Sequence, residues 1–248
     1  MKLPSNKRRT QSAPSRRVLW IYGQPFSGKT TFADSAPDPI MLNTDGNAEY
    51  VTAPYIAIQD EIEVIGRLTQ RKFAWTVFKE AVEELEKGGN DFKTVVVDLV
   101  NDLYEMCRLY MYDKLGITHE SDDTFRAWDK VRTEFLSTMR RVTHLPYQNI
   151  ILISHEDATK DLTKKSGDKV TSIKPKLVEK VADSLAGMVG LVGRCYVDDG
   201  KYILSIKSDE VIYGGGRIGV SNVEIPLDWK EVEKLFNESK NKKGVKNV

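Results

Sequence analysis

Residues Gly23-Gln24-Pro25-Phe26-Ser27-Gly28-Lys29-Thr30 match the pattern G-x-x-x-x-G-K-[ST] in full. The chemistry of that pattern is phosphate binding. Its glycines let backbone amides turn inward around a phosphate chain, and a helix starting behind them points its positive end at the same anion. Lys29 is placed to reach the β- and γ-phosphates of ATP, and the Thr30 hydroxyl to take a position on Mg²⁺. Thr31 offers a further phosphate contact. An ordinary glycine turn can carry the same letters. Here, however, an apolar run, Val18–Tyr22, precedes the pattern and a helical segment follows it.

A phosphate loop also needs an acid to hold the water shell of its metal. Asp98 closes the run Thr94-Val95-Val96-Val97 and fits that role; the weaker alternative is an aspartate that caps a helix starting at Leu99. The next residue is Leu99, not the glutamate that AAA+ motors usually carry directly after this aspartate, so the water-activating acid is expected elsewhere. Asp45 is the first candidate. It lies just past the strand Ile40–Asn43, where a parallel sheet delivers its ligand-facing loops, and a carboxylate there can orient or deprotonate the attacking water. Asp45-Gly46 is also a common turn pair. Glu49 is the second choice. His119, His144 and His155 show no zinc-binding spacing.

The elements that must position these groups are legible as alternating strands and helices. Val18–Tyr22, Ile40–Asn43, Tyr55–Ile58, Thr94–Val97 and Asn149–Ile153 read as strands. Helical spacing marks Gly28–Ser35, Phe73–Lys87, Leu99–Leu115, Asp123–Leu145, Lys176–Met188 and Trp229–Phe236. The face Phe125, Trp128, Val131, Phe135, Leu136 and Met139 is expected to be buried. Leu191–Val197 and Tyr202–Ile206 read as strands joined at Asp198-Asp199-Gly200, and Gly214-Gly215-Gly216 as a mobile loop. Strands alternating with helices imply an α/β fold, a mostly parallel sheet covered on both faces.

The chain has 248 residues, 40% hydrophobic and 29% charged, which suits a globular protein. No apolar run approaches the roughly 18–20 residues of a membrane-spanning helix, and the first residues lack the apolar core of a secretory signal. With only Cys107 and Cys195, a disulfide scaffold is excluded and a reducing cytosol is expected. The net charge of +1 conceals an uneven distribution. Residues 1–17, expected as a flexible arm, carry six basic groups and no acid, and the tail 238–248 carries four lysines against Glu238. The domain between them, 18–237, is acidic. Within it the segment 157–174 is expected as a mobile basic loop.

Four segments, GQPFSGKTTFADSAPDPIMLNTDG, TVVVDLV, ILISHED and KPKLVEKVADSLAGMVG, together resemble the RecA-like core. Within that group the chain resembles the phage-encoded RecA-like P-loop ATPases of recombination modules, a family linked to single-strand annealing. The resemblance spans most of residues 18–220, leaving out the arm and the tail. It implies Mg²⁺-ATP hydrolysis coupled to single-stranded DNA, a homo-oligomeric ring or filament, a phage single-strand-binding or replication protein as a further partner, and the bacterial host cytosol as location. It places His155 where such proteins carry a polar sensor of the γ-phosphate; the same histidine can simply end a strand beside Glu156. It also places Lys164, Lys165, Lys169 and Lys174 in a DNA-binding loop behind that sensor, where lysines would neutralise phosphates without reading bases; a solvated lysine loop is the alternative. A cation from a neighbouring subunit would complete the site, with Arg217 first, then Lys207 and Arg194. Two other functions compete: a nucleotide-dependent adaptor that loads another replication protein, and a P-loop kinase, whose Arg-rich lid and acceptor pocket find no pattern here.

Overall fold

The computed structural model describes residues 6, 16–118, 125–159, 161–163, 169–209, 211–219 and 223–244. The chain begins with β1 (Arg17–Gly23), α1 (Lys29–Asp34), β2 (Pro39–Asn43), a 3-10 turn (Ala48–Tyr50), β3 (Tyr55–Ala57), β4 (Glu61–Ile65), β5 (Leu68–Lys72) and α2 (Ala74–Lys87). It continues through β6 (Thr94–Asp98), α3 (Val100–Leu115), α4 (Phe125–Thr143), β7 (Asn149–Asp157), β8 (Asp161–Thr163), β9 (Lys169–Thr171) and β10 (Lys174–Pro175). Last come α5 (Glu179–Ala186), β11 (Leu191–Asp198), β12 (Lys201–Ser205), β13 (Gly215–Gly216), β14 (Glu224–Pro226) and α6 (Trp229–Gly244).

The main sheet has the order β14-β12-β11-β1-β7-β6-β2-β3. The six strands from β11 to β3 are parallel, and β12 and β14 extend the β11 edge antiparallel. Because β1, β6 and β7 are apolar on both faces, they take its centre. Alternate residues go to opposite layers. Trp20 and Tyr22 of β1 pack with α2 to α5, whereas Leu19 and Ile21 pack with α1 and α6. The protein is thus an α/β fold, a mostly parallel central sheet flanked by helices on both faces.

Helix α2 buries Trp75, Phe78 and Val82 on one face and ends at Gly88, whose φ of 65° a glycine accommodates without strain. Helix α4 buries Val131, Phe135 and Met139, while Trp128 sits at the rim with its edge against Tyr112. Phe135 lies at the centre of this layer, between the Trp75 ring at 5.9 Å and the Tyr104 ring at 5.0 Å.

Several segments depart from the sequence expectations. Arg16 and Arg17, assigned to the arm, are tied to the body: Arg16 donates to the Leu145 carbonyl and Arg17 to Asn149 Oδ1. Residues 61–72 form the antiparallel hairpin β4–β5, which the sequence reading passed over. Of the segment 157–174, expected as a mobile basic loop, residues 160 and 164–168 lie outside the described residues; in the rest, β7 runs on to Asp157, β8 pairs with β9, and β10 pairs back onto β7. The glycine run 214–216 forms β13 against β11, and α6 extends past Phe236 to Gly244, into the supposed tail. Among the described residues, no helix is long and apolar enough to cross a membrane.

Phe135→Ala removes the ring that links α2, α3 and α4. Loss of about 3–5 kcal/mol of unfolding free energy is expected, read as a lower midpoint with an unchanged slope in urea denaturation.

Candidate functional site

The carboxyl ends of β1, β7, β6 and β2 meet on one edge of the sheet. In register, Gly23 lies beside His155, Ile153 beside Asp98, and Asp98 beside Asn43. β7 therefore separates the phosphate loop from Asp98 by one strand.

Two glycines are required where they stand. A Cβ on Gly23 would lie 2.1 Å from the Cys195 carbonyl oxygen, so only glycine lets the loop spring from β1 hard against β11. Gly28 has φ 80° and its α-carbon faces Tyr202, whose ring a Cβ would meet at 2.8 Å. Between them Gln24, Pro25 and Phe26 are exposed and Ser27 is buried. Lys29 is buried in the hollow of the loop. Its ammonium donates to the carbonyls of Gly23 (3.0 Å) and Gln24 (2.7 Å) and to Ser27 Oγ (3.2 Å). Burial pulls its pKa below the usual lysine range, against the pull of Asp98 and Glu156. Thr31 is exposed on the first turn of α1.

Thr30 Oγ1 donates to Asp98 Oδ2 at 2.7 Å. The other carboxylate oxygen, Oδ1, is buried and has no hydrogen-bond partner. Burial pushes the Asp98 carboxyl up to about 6, with the Thr30 bond opposing. A buried acceptor beside a threonine hydroxyl is a donor set that fits Mg²⁺. That ion prefers oxygen ligands and usually binds through one or two carboxylates plus substrate phosphates and water, so Thr30 and Asp98 suffice from the protein.

Short polar side chains at the strand ends fix this arrangement, and the sequence reading missed them. The Leu99 amide donates to Thr44 Oγ1 and the Thr44 amide to the Asp98 carbonyl, both at 2.7 Å. The Asn101 side chain accepts the His155 amide at 2.9 Å. Asn43 accepts the Gly46 amide and donates to Asp45. The signal available in sequence was their position, each within four residues of an expected strand end.

Asp45 is exposed, with both oxygens occupied. Oδ1 accepts from Asn43 and the Asn47 amide, and Oδ2 from the Asn47 side chain. Burial alone would raise its pKa, but these bonds prevail and hold it below the usual range. Asp102, on the first turn of α3, was not singled out from sequence. Half-buried, it has its pKa raised by burial, and it feels the charges of His155, Asp45 and Lys176. The His155 ring is lowered by burial and by Lys29. The structure thus brings Lys29, Thr30, Asp45, Asp98, Asp102 and His155 to one site. Glu49 lies further along, exposed on its 3-10 turn.

The expected cations fall elsewhere. Arg194 is bound twice to Glu156, at 2.7 and 3.2 Å, and that carboxylate is 1% exposed. Together with Gln24–Ser27, Tyr196 and Val197 they line a cavity of about 360 Å³ beside the loop. Arg217 donates to the Gly187 carbonyl at the end of α5, and its amide to the Gly190 carbonyl, next to the first residues of β1 and so at the opposite edge of the sheet from the phosphate loop. Lys207 pairs with Glu224 at 2.7 Å. Lys164 and Lys165 lie outside the described residues. Lys169 opens β9, and Lys174 is mostly buried with its ammonium 3.9 Å from Glu179.

No curated protein matches this chain. Among solved structures, it is similar to a prototypical ATPase from the type III secretion system of pathogenic bacteria, at 11% identity and a TM-score of 0.39. The similarity covers 74% of this chain and 51% of that one, so the chain spans about half its length. A family model described as an AAA domain matches residues 15–218, which contain the phosphate loop, Asp98 and every strand of the parallel sheet. With that match added to the loop geometry and the Thr30–Asp98 pair, the chain belongs to the AAA domain family and carries a P-loop nucleotide-binding ATPase domain.

Proposed function

We propose that the protein hydrolyses Mg²⁺-ATP and couples the nucleotide state to single-stranded DNA, as the resemblance to phage recombination ATPases implies, working as a homo-oligomer. The observation that carries the reading is the path of β7. The strand presents His155 beside Gly23, continues to Asp157, and is locked by β10 through the register Asp157 to Lys174. The Lys176 amide also donates to the His155 carbonyl. Lys174 and Lys176 are therefore tied to the strand that flanks the phosphate loop, and a shift at His155 would reach them through backbone bonds.

In hydrolysis the oxygen of water bonds to the γ-phosphorus, and the bond to the β,γ-bridging oxygen breaks. The electron pair leaves with ADP. Lys29 neutralises the phosphate charge, and Mg²⁺ held by Thr30 and Asp98 supplies further charge neutralisation when bound. Asp45, held ionised by Asn43 and Asn47, orients the water. Asp102, whose basicity burial raises, takes its proton.

At pH 7 the raised pKa of Asp98 means that the ionised form destabilises the metal-free fold. Asp98→Asn is therefore expected to keep or raise the melting temperature while abolishing the Mg²⁺ dependence of nucleotide binding, checked by thermal melts and by titration with and without a chelator. Asp102→Asn should lower kcat about 10²-fold or more, and Asp45→Asn less, in steady-state ATPase assays.

Single-stranded DNA affinity, measured with ATP, ADP and no nucleotide across a salt series, is expected to fall steeply with salt and to differ between nucleotides. Affinity and turnover both indifferent to the other ligand would overturn the coupling.

A further inference from the structure

Lys176 stands at the rim of the phosphate site with an anchored backbone and an uncommitted ammonium. The Lys176 amide donates to the His155 carbonyl at 2.8 Å. The Leu177 amide reaches back to the Pro175 carbonyl, also at 2.8 Å, closing a three-residue turn with Lys176 at its apex. On one side of the apex, Pro175 is buried and in register with Glu156 of β7. On the other, Leu177 packs on the layer of α2 to α5, and α5 begins at Glu179. The apex is thus held to the strand that carries His155. The side chain has no such tie. Lys176 is exposed, and among the described residues its ammonium has no hydrogen-bond or ion-pair partner.

That ammonium lies among the charged groups of the site. Burial, Lys29 and Lys176 each lower the pKa of His155, so two lysines are within electrostatic reach of one ring. Burial raises the pKa of Asp102, and His155 and Lys176 oppose it. Asp45 and Asp98 complete a set of three acids, to which a triphosphate adds further negative charge. Lys29 is the cation that the loop itself provides. The other cations expected for this site are engaged: Arg194 with Glu156, Lys207 with Glu224, and Arg217 with the Gly187 carbonyl. A lysine is a compact charge on a flexible four-carbon stem. From an apex bonded to the His155 carbonyl, such a stem can bring its ammonium to a phosphate oxygen beside the His155 ring.

We propose that Lys176 supplies a second cation to the phosphate site from within the same chain, contacting the γ-phosphate oxygens alongside Lys29 and His155. It transfers no proton and forms no covalent bond. As the bond to the β,γ-bridging oxygen breaks, charge spreads over the γ-phosphate oxygens, and an ammonium on an anchored stem stabilises it with little rearrangement. On this reading the cation comes from the chain that binds the nucleotide, not from a second copy. The proposal rests on the hydrolysis reading given above.

Three measurements on the full chain test it. In ATPase assays with and without single-stranded DNA, Lys176→Ala is expected to lower kcat about 10²-fold, and Lys176→Arg to recover part of the loss. Both variants are expected to melt as the wild type does, because the side chain is exposed. Mixing Lys176→Ala with Lys29→Ala is expected to recover no turnover, because each lysine serves the site of the chain that carries it. Binding needs no turnover: the preference for a non-hydrolysable ATP analogue over ADP is expected to fall about tenfold or more in Lys176→Ala, with ADP affinity unchanged. A wild-type rate in Lys176→Ala, with only the affinity for single-stranded DNA reduced, would make Lys176 a DNA contact and overturn the proposal. Recovery in the mixture or an unchanged preference for the analogue would overturn it as well. If the wild-type protein hydrolyses no ATP, the hydrolysis reading fails instead, and the analogue preference still decides whether Lys176 meets the γ-phosphate.

Discussion

The hydrogen bond from Thr30 Oγ1 to Asp98 Oδ2 spans strands that are not neighbours, and most of the architecture follows from that fact. β1 and β6 stand about 10 Å apart with β7 between them. The bond forms because Thr30, on the first turn of α1, leans over the end of β7. The cost is considerable: Asp98 is buried, its second oxygen has no partner, and an unsatisfied buried acceptor costs on the order of 1–3 kcal/mol. Three central strands, apolar on both faces, offset it. The packing of Trp20, Val96, Ile151 and their neighbours sustains a site that would be unfavourable alone.

The same edge is stiffened by side chains that bond to backbone. Thr44 holds the Leu99 amide, Asn101 holds His155, and Asn43 holds the turn at Gly46. Each ties the end of one strand to a neighbouring strand or to the loop beyond it, leaving few soft torsions between the phosphate loop and the acids. β7 is the exception in one respect. It overshoots the edge to Asp157, and its last residues bond to β10 rather than to β1 or β6. Rigid geometry around the phosphates and a strand that carries on beyond them are the two properties that a coupling device needs.

Much of this was legible in the residues. The phosphate loop announced itself by spacing, and β1, β6 and β7 by runs such as Thr94–Val97, in which every side chain is buried. What escaped was structure set by pairing rather than by composition. Glu61–Ile65 alternates charged and apolar residues up to Gly66-Arg67, but Leu68–Lys72 is polar after its first residue, so only half of the hairpin carries a strand pattern. Gly215–Gly216 becomes a strand only because β11 offers an open edge. Asp45 stands out by position, yet its hydrogen bonds from Asn43 and Asn47 depend on turn geometry that no spacing rule contains. Asp102 acquires its meaning only from what the topology sets beside it, the charges of His155, Asp45 and Lys176.

Placing the nucleotide loop and the hairpin on one edge of the sheet, four strands apart, has a thermodynamic consequence. If copies of the chain meet along that edge and nucleotide binds better at an occupied contact than at a free one, linkage requires that nucleotide strengthen the contact by the same factor. Association then becomes dependent on ligand concentration by mass action. The hairpin's exposed Ile62 and Val64 need to be only weakly adhesive on their own, because the bound phosphate supplies the rest.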